Sequence, residues 1–251
     1  MTVVDYTEPP PPPPPPPPPS SSSGGFDFVQ PFAFVFQDER WVQKVLIGGL
    51  FYIAAFLLIG LFFIAGYCAK LARNVIAGVS RPLPEWDDLG TYLTDGVKLF
   101  CVGLIYFLPL FLILLAVLIP AGVLTAIGDQ IGEHHRGGGD LANFAGGTMM
   151  TCVWCLFFPI SLALSFWMPA AMLFAIVEDR IGAAFQFTKI FNFIKANFVN
   201  YLLAFVVMLV ARFAVPFGMI LLCIGIVFTA FWSFLVTTYA FASAYRLSPT
   251  K

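Results

Sequence analysis

Four side chains have the spacing that could hold a metal: Cys152 and Cys155 in Cys-Val-Trp-Cys, and the adjacent pair His134-His135. Two thiolates and two imidazoles suit tetrahedral zinc, and the thiol pair alone suits exchange chemistry. Against that, Cys155 lies several residues into an apolar run, and histidines of metal sites are rarely adjacent. The plainer reading is two small residues on a helix and two solvated histidines. The expectation is no metal, with these four as the only candidates.

A second set is acidic: Glu85, Asp87 and Asp88. Paired carboxylates can serve as general acid and base, yet helix geometry accounts for them more simply. Pro84 suits a first helical turn, and carboxylates there are favoured by the helix dipole. Further on, Asp95 and Lys98 can pair at i,i+3. There is no nucleophile–base–orienter set, phosphate loop or dinucleotide motif, so the chain is expected to be no enzyme and to carry no cofactor.

The elements that must position these residues are apolar. Of 251 residues, 59% are hydrophobic and 11% charged, where soluble domains carry about 25% charged residues. Mean hydropathy is +0.88. The net charge of −1 gives no reason to expect nucleic acid. Five cysteines, three of them in or beside apolar runs, imply no disulfide framework. The charged stretch Arg81–Lys98 sits between two apolar runs, Val45–Ala69 and Leu99–Ala126. Each run exceeds the roughly 20 residues that cross a bilayer.

The expected class is therefore an all-α integral membrane protein with about five transmembrane helices. Residues 1–25 form a polyproline, Ser and Gly tail whose weakly acidic start does not read as a secretory signal. Residues 26–44, with Phe at alternate positions, read as an extended interfacial lead-in closed by Trp41 and Lys44. A first half, 45–127, holds a span, an elbow helix and a span. A Gly-rich polar loop, 128–147, leads to a second half, 148–215, with the same layout. A fifth span, 216–245, precedes the tail 246–251. Gly48 and Gly49 read as small packing positions in the first span.

The two elbows carry similar patterns. Trp86, Leu89, Leu93, Val97 and Phe100 recur at helical spacing opposite Asp87, Asp88, Thr91, Asp95 and Lys98. Ala184, Phe187, Phe191, Ile194 and Phe198 do the same opposite Gln186, Lys189, Asn192 and Lys195. Both read as amphipathic interfacial helices, and the layout reads as a parallel repeat. Lys and Arg counts place the elbows and the C-terminus in the cytoplasm and the N-terminus outside. A re-entrant hairpin in the first apolar run would instead keep the N-terminal tail inside.

Several blocks resemble a known family. Phe36-Gln37-Asp38, Trp41, Lys44–Leu50, Gly66-Tyr67, Leu83-Pro84-Glu85-Trp86-Asp87-Asp88 and Asp95–Lys98, with Ala184–Phe187 and Phe193–Asn197 in the second half, are similar to an uncharacterised prokaryotic membrane family, domain of unknown function 4013 (DUF4013). The resemblance covers about residues 32–245. It implies a multi-pass membrane protein and supplies no reaction, ligand or catalytic residue.

No ionisable residue falls in the middle of an expected span, which argues against an ion-coupled transporter. The leading expectation is a non-enzymatic membrane scaffold or accessory subunit, and the alternative is a carrier or channel for a small neutral or lipidic solute. The expected partners are the lipid bilayer and either another protein or a second copy.

Overall fold

The computed structural model describes residues 25–134, 140–220 and 225–249. The polyproline tail and residues 135–139, including His135, lie outside them, as does Cys223. Among the described residues every regular element is helical: α1 (Gln30–Ala33), α2 (Trp41–Ala54), α3 (Ile59–Ala77), α4 (Leu89–His134), α5 (Asp140–Val177), α6 (Phe187–Ala196), α7 (Phe198–Ala214) and α8 (Gly225–Arg246). Short 3-10 turns link several of them.

Five segments are long and apolar enough to cross a membrane: Ile59–Ala77, Leu89–Ile131, Ala142–Val177, Phe198–Ile220 and Gly225–Arg246. The protein is thus an all-α membrane protein, with exposed Leu, Ile and Phe where a soluble protein would place charge.

Element by element, the bounds differ from those expected. Residues 26–44 are not extended: Asp27 Oδ1 accepts from the Val29 and Gln30 amides, and a turn of helix and a 3-10 turn follow. The lead-in packs on α8, with Phe34 stacked on Tyr239 at 4.3 Å. Elsewhere, the loop expected over 128–147 is helical on both sides of residues 135–139.

The first apolar run is not one span. It breaks after Ala54 into a 3-10 turn, and Leu58 takes a positive φ of 64°. α3 then returns along α2, where a Cβ on Gly60 would run into the Phe51 carbonyl oxygen. The two helices form an antiparallel hairpin. The lead-in and the Arg81–Lys98 stretch therefore meet at one end of it, contrary to their expected separation across the membrane. Arg40 pairs with Glu85 at 2.7 Å, and Arg81 with Glu39 at 2.8 Å.

The first elbow is not a separate helix either. Leu89–Lys98 continues without a break into the span, giving a 46-residue α4. The second elbow is separate, because Asn197 leaves the helical conformation and its side-chain amide turns to the Ala244 carbonyl. In both, the stripe Leu89, Leu93, Val97, Phe100 and the stripe Phe187, Phe191, Phe198 are exposed, so these face outward. The inward faces are Tyr92, Asp95, Gly96, Leu99 on α4 and Ile190, Phe193, Ile194 on α6.

The start of α4 and the whole of α7 share one register. Tyr92, Asp95, Gly96, Leu99 and Val102 are buried on α4, and Tyr201, Ala204, Phe205, Met208 and Ala211 are buried on α7 at the same intervals. Each tyrosine packs against the long helix before it. A Cβ on Gly66 of α3 would strike the Tyr92 carbonyl, and one on Gly96 would strike that of Phe62, so α3 and α4 touch backbone to backbone. On α5, the Tyr201 hydroxyl accepts from the Ala170 amide at 3.2 Å and donates to the Phe166 carbonyl at 2.6 Å. Pro169 lies between those two residues, where the helical ladder already lacks a donor.

α4 and α5 pair along their length, closely enough that a Cβ on Gly128 would meet Asn143 and one on Gly146 would meet Thr125. Past Gly103 and before Met168 the two arms bury only Ala121, Gly128 and Gly146 among the described side chains. Phe107, Phe111, Trp154 and Phe158 are exposed along this projecting hairpin.

Candidate functional site: a charged junction around Lys44

Between α3 and α4 the chain runs Arg81-Pro82-Leu83-Pro84-Glu85-Trp86-Asp87-Asp88 with no regular structure. Pro82, Leu83 and Pro84 are nonetheless buried. Buried backbone must find partners, and the two prolines bring no N–H of their own, so the requirement falls on carbonyls. Four consecutive carbonyls are each met by a different side chain. Asn74 Nδ2 donates to Pro82 O at 2.9 Å, Lys44 Nζ to Leu83 O at 3.1 Å, and Tyr67 Oη to Pro84 O at 2.8 Å. The Tyr92 hydroxyl donates to Glu85 O.

Trp86 completes the arrangement. Its ring stacks on Tyr67 at 4.2 Å and on Phe51 at 4.8 Å, and Phe231 of α8 lies beside it. The indole nitrogen donates to the Lys44 carbonyl at 3.0 Å. One tryptophan thus ties the loop to α2, α3 and α8 together.

Lys44 is the charge at the centre, only 4% exposed. Its ammonium lies 2.7 Å from Asp38 Oδ2 and 2.9 Å from Glu85 Oε1, and with Leu83 O it uses all three donors. Burial works against the Asp38 carboxylate, but the Lys44 hydrogen bond, the Arg40 amide and both cations hold it below its ordinary range. The more exposed pairs, Arg40–Glu85 and Arg81–Glu39, are of the kind worth about 0–1 kcal/mol. Around these groups lies a cavity of about 480 Å³, whose wall also includes Lys70, Asp87 and Tyr92.

A second ionic cluster joins α3, α4 and α5. Arg73 pairs with the buried Asp95 and lies 3.3 Å from Asp179. Lys98 lies 2.8 Å from Asp179 and 3.6 Å from Asp95. The Lys98 hydrogen bond and the neighbouring cations depress the Asp179 carboxyl. Asp88 instead caps α4, its Oδ1 accepting from the Thr91 amide at 3.1 Å.

Of the residues singled out by sequence, Lys44, Pro84, Glu85 and Trp86 converge at the junction, and Asp95 and Lys98 form the second cluster. Asp87 stands exposed on the cavity wall. Trp41 lies edge-on to Phe36 at 4.9 Å. Gly48 and Gly49 face the rings of Phe231 and Phe228 so closely that neither position has room for a methyl group. Phe187 stacks on Trp167 at 6.0 Å, while Phe191 and Lys195 are exposed. Cys152 and Cys155 are exposed free thiols one turn apart on α5. His134 ends α4. Among the described residues no group of three His, Cys, Asp or Glu side chains could hold a metal ion.

Asp38 stands out in the sequence only within the family-like block Phe36-Gln37-Asp38, and Arg73, Asn74 and Asp179 do not stand out. Each sits on a different segment from its partner, at sequence separations no periodicity reports.

Residues 49–224, most of the chain, match the family described as protein of unknown function, DUF4013. The chain belongs to this family. The matched span begins inside α2, so within this DUF4013 protein Lys44 and Asp38 lie just before the span while Leu83, Glu85 and Trp86 lie within it. No curated protein and no solved structure matches.

Proposed function

We propose that this DUF4013 protein is a non-enzymatic membrane scaffold or accessory subunit that offers its projecting α4–α5 hairpin to a partner chain. The observation that carries this reading is the near-complete lack of burial along that hairpin beyond Gly103 and Met168. The ionic clusters support it too, since Lys44, Asp38, Glu85, Arg73, Asp95 and Asp179 are engaged with one another.

In this reading six segments enter the membrane, α2 and α3 as a hairpin. Arg40 and Lys44 then join Lys70, Arg73, Arg81, Lys98, Arg180, Lys189, Lys195, Arg246 and Lys251 on one side. Only Arg136 and Arg212 remain on the other. That asymmetry supports the hairpin alternative, with both termini in the cytoplasm, over an N-terminus outside. α6 has three faces that suit the interface: Ile190, Phe193 and Ile194 toward protein, Phe187 and Phe191 toward lipid, Lys189 and Lys195 toward headgroups. The shared register of α4 and α7 supports a parallel repeat.

Affinity purification in mild detergent tests the scaffold reading. A stoichiometric partner that crosslinks to α4 or α5 is the expected result, and protein that repeatedly arrives alone and monodisperse overturns it. The cavity around Lys44 favours a second reading, a carrier or channel for a small neutral or lipidic solute. Flux through reconstituted vesicles separates the two.

A further inference from the structure

The second ionic cluster lies in a cavity of about 620 Å³ between the end of α3, the start of α4 and the end of α5. Its polar side is Arg73, Lys98, the carboxylates Asp95 and Asp179, and Thr91 and Thr94, and its apolar walls include Ile76 and Val177. Exposed Leu93, Val97 and Val177 beside it continue the apolar surface that lipid covers. Two cations beside apolar walls are what a phosphate attached to hydrocarbon would meet, once the anion between them gives way.

The two carboxylates differ in kind. Asp95 is buried and fixes the Arg73 guanidinium in place, whereas the Asp179 side chain is 63% exposed. Asp179 stands in the turn after α5 at a positive φ of 51°, a conformation that aspartate tolerates better than most side chains. From there its Oδ1 lies 3.3 Å from Arg73 and 2.8 Å from Lys98, bridging both cations. One oxygen occupying both donors is the position an oxyanion would take.

We infer that this cavity is a phosphate-binding site in which Asp179 is the displaceable internal anion. A phosphate oxygen replaces the Asp179 carboxylate between Arg73 and Lys98, and Asp95 holds Arg73 throughout. Charge-assisted bonds of this kind are the stronger class of hydrogen bond. The phosphate is that of a phospholipid headgroup or free phosphate. The inference goes beyond the scaffold reading and does not depend on it.

The test uses the full chain in detergent, with short-chain phosphatidylglycerol and inorganic phosphate as separate probes. Binding is read by native mass spectrometry and by the shift in unfolding temperature. Wild type binds phosphatidylglycerol, Lys98→Gln binds it about tenfold more weakly, a factor typical of one charged hydrogen bond, and Asp179→Asn binds it more tightly. Lys98 and Asp179 are both partly exposed, and Asp95 keeps Arg73 in each variant, so both should fold. Lys98→Arg restores binding, and Arg81→Gln, which removes an exposed charge at the Lys44 junction, leaves it unchanged. Response to phosphatidylglycerol alone identifies a lipid headgroup, and response to inorganic phosphate identifies recognition of the phosphate itself. Equal binding by wild type and Lys98→Gln, or weaker binding by Asp179→Asn, overturns the inference.

Discussion

The indole of Trp86 donates to the main-chain carbonyl of Lys44, 42 residues earlier, at 3.0 Å. The side chain of Lys44 returns the favour to the same loop, donating to Leu83 O at 3.1 Å. The two residues bind each other's backbone neighbourhoods, so the loop and the start of α2 are held as one unit.

That reciprocity makes Trp86 separable into its parts. Trp86→Phe keeps an aromatic ring against Tyr67 and Phe51 but removes the indole donor to the Lys44 carbonyl, at a cost of about 0.5–1.5 kcal/mol. Trp86→Ala also removes the ring and should cost about 3–5 kcal/mol. Thermal unfolding in detergent should rank wild type above Trp86→Phe above Trp86→Ala; equal loss in the two variants would mean the ring contributes nothing.

Removing Lys44 leaves Asp38 buried without its cation. Lys44→Met should destabilise by about 3–5 kcal/mol, because breaking one side of a buried pair strands the other. The double variant Lys44→Met with Asp38→Asn should lose less than the single one. A double variant that loses the sum of the two single costs would show that the pair is not coupled.

The close approach of α3 and α4 predicts a sharp positional contrast among glycines. Gly66→Ala places a methyl group on the Tyr92 backbone and should cost at least the 1–3 kcal/mol typical of overpacking. Gly122→Ala meets nothing within 4 Å and should be neutral or gain a few tenths of a kcal/mol through helix propensity. Size-exclusion profiles and melting curves of the two variants check this directly.

Acid should weaken the protein in a defined direction. Asp38 and Asp179 have native carboxyls held below the ordinary value of 3.8. Their stabilisation is complete above that value and is lost as pH falls through the depressed native ones. Unfolding temperature should therefore be flat from neutral pH to about pH 4 and fall below it. Asp179→Asn should make the fall shallower, and an unchanged slope would remove Asp179 from the account.

Length and apolar composition made the membrane class and the number of long apolar segments readable in advance. The break at Leu58 was not readable, since Ala54-Ala55-Phe56-Leu57-Leu58-Ile59 contains neither Gly nor Pro and looks like uninterrupted helix. The turn instead depends on Gly60, just beyond that run, where a Cβ would collide with the Phe51 carbonyl. Asn197 did offer a signal, being a poor helix former between two periodic segments, and it separates α6 from α7 as no residue separates Leu89–Lys98 from the rest of α4. The periodic stripes of Leu, Val and Phe were visible, but periodicity alone does not distinguish a side facing protein from one facing lipid. The junction itself was half visible: Lys44, Glu85 and Trp86 stood out, while their meeting depends on a hairpin that the residues between them do not announce.

At about 1.5 Å per residue the 46 residues of α4 extend about 69 Å. The hydrocarbon layer of a typical bilayer is about 30 Å thick. Two arms joined at their far end cannot stand upright in so thin a layer with their apolar sides covered. They must lean, bend at Pro109 and Pro120 on α4 or Pro159 and Pro169 on α5, or draw the surrounding lipid thicker. The mismatch gives this chain a preference among membranes that is set by thickness, independent of any chemical group it carries.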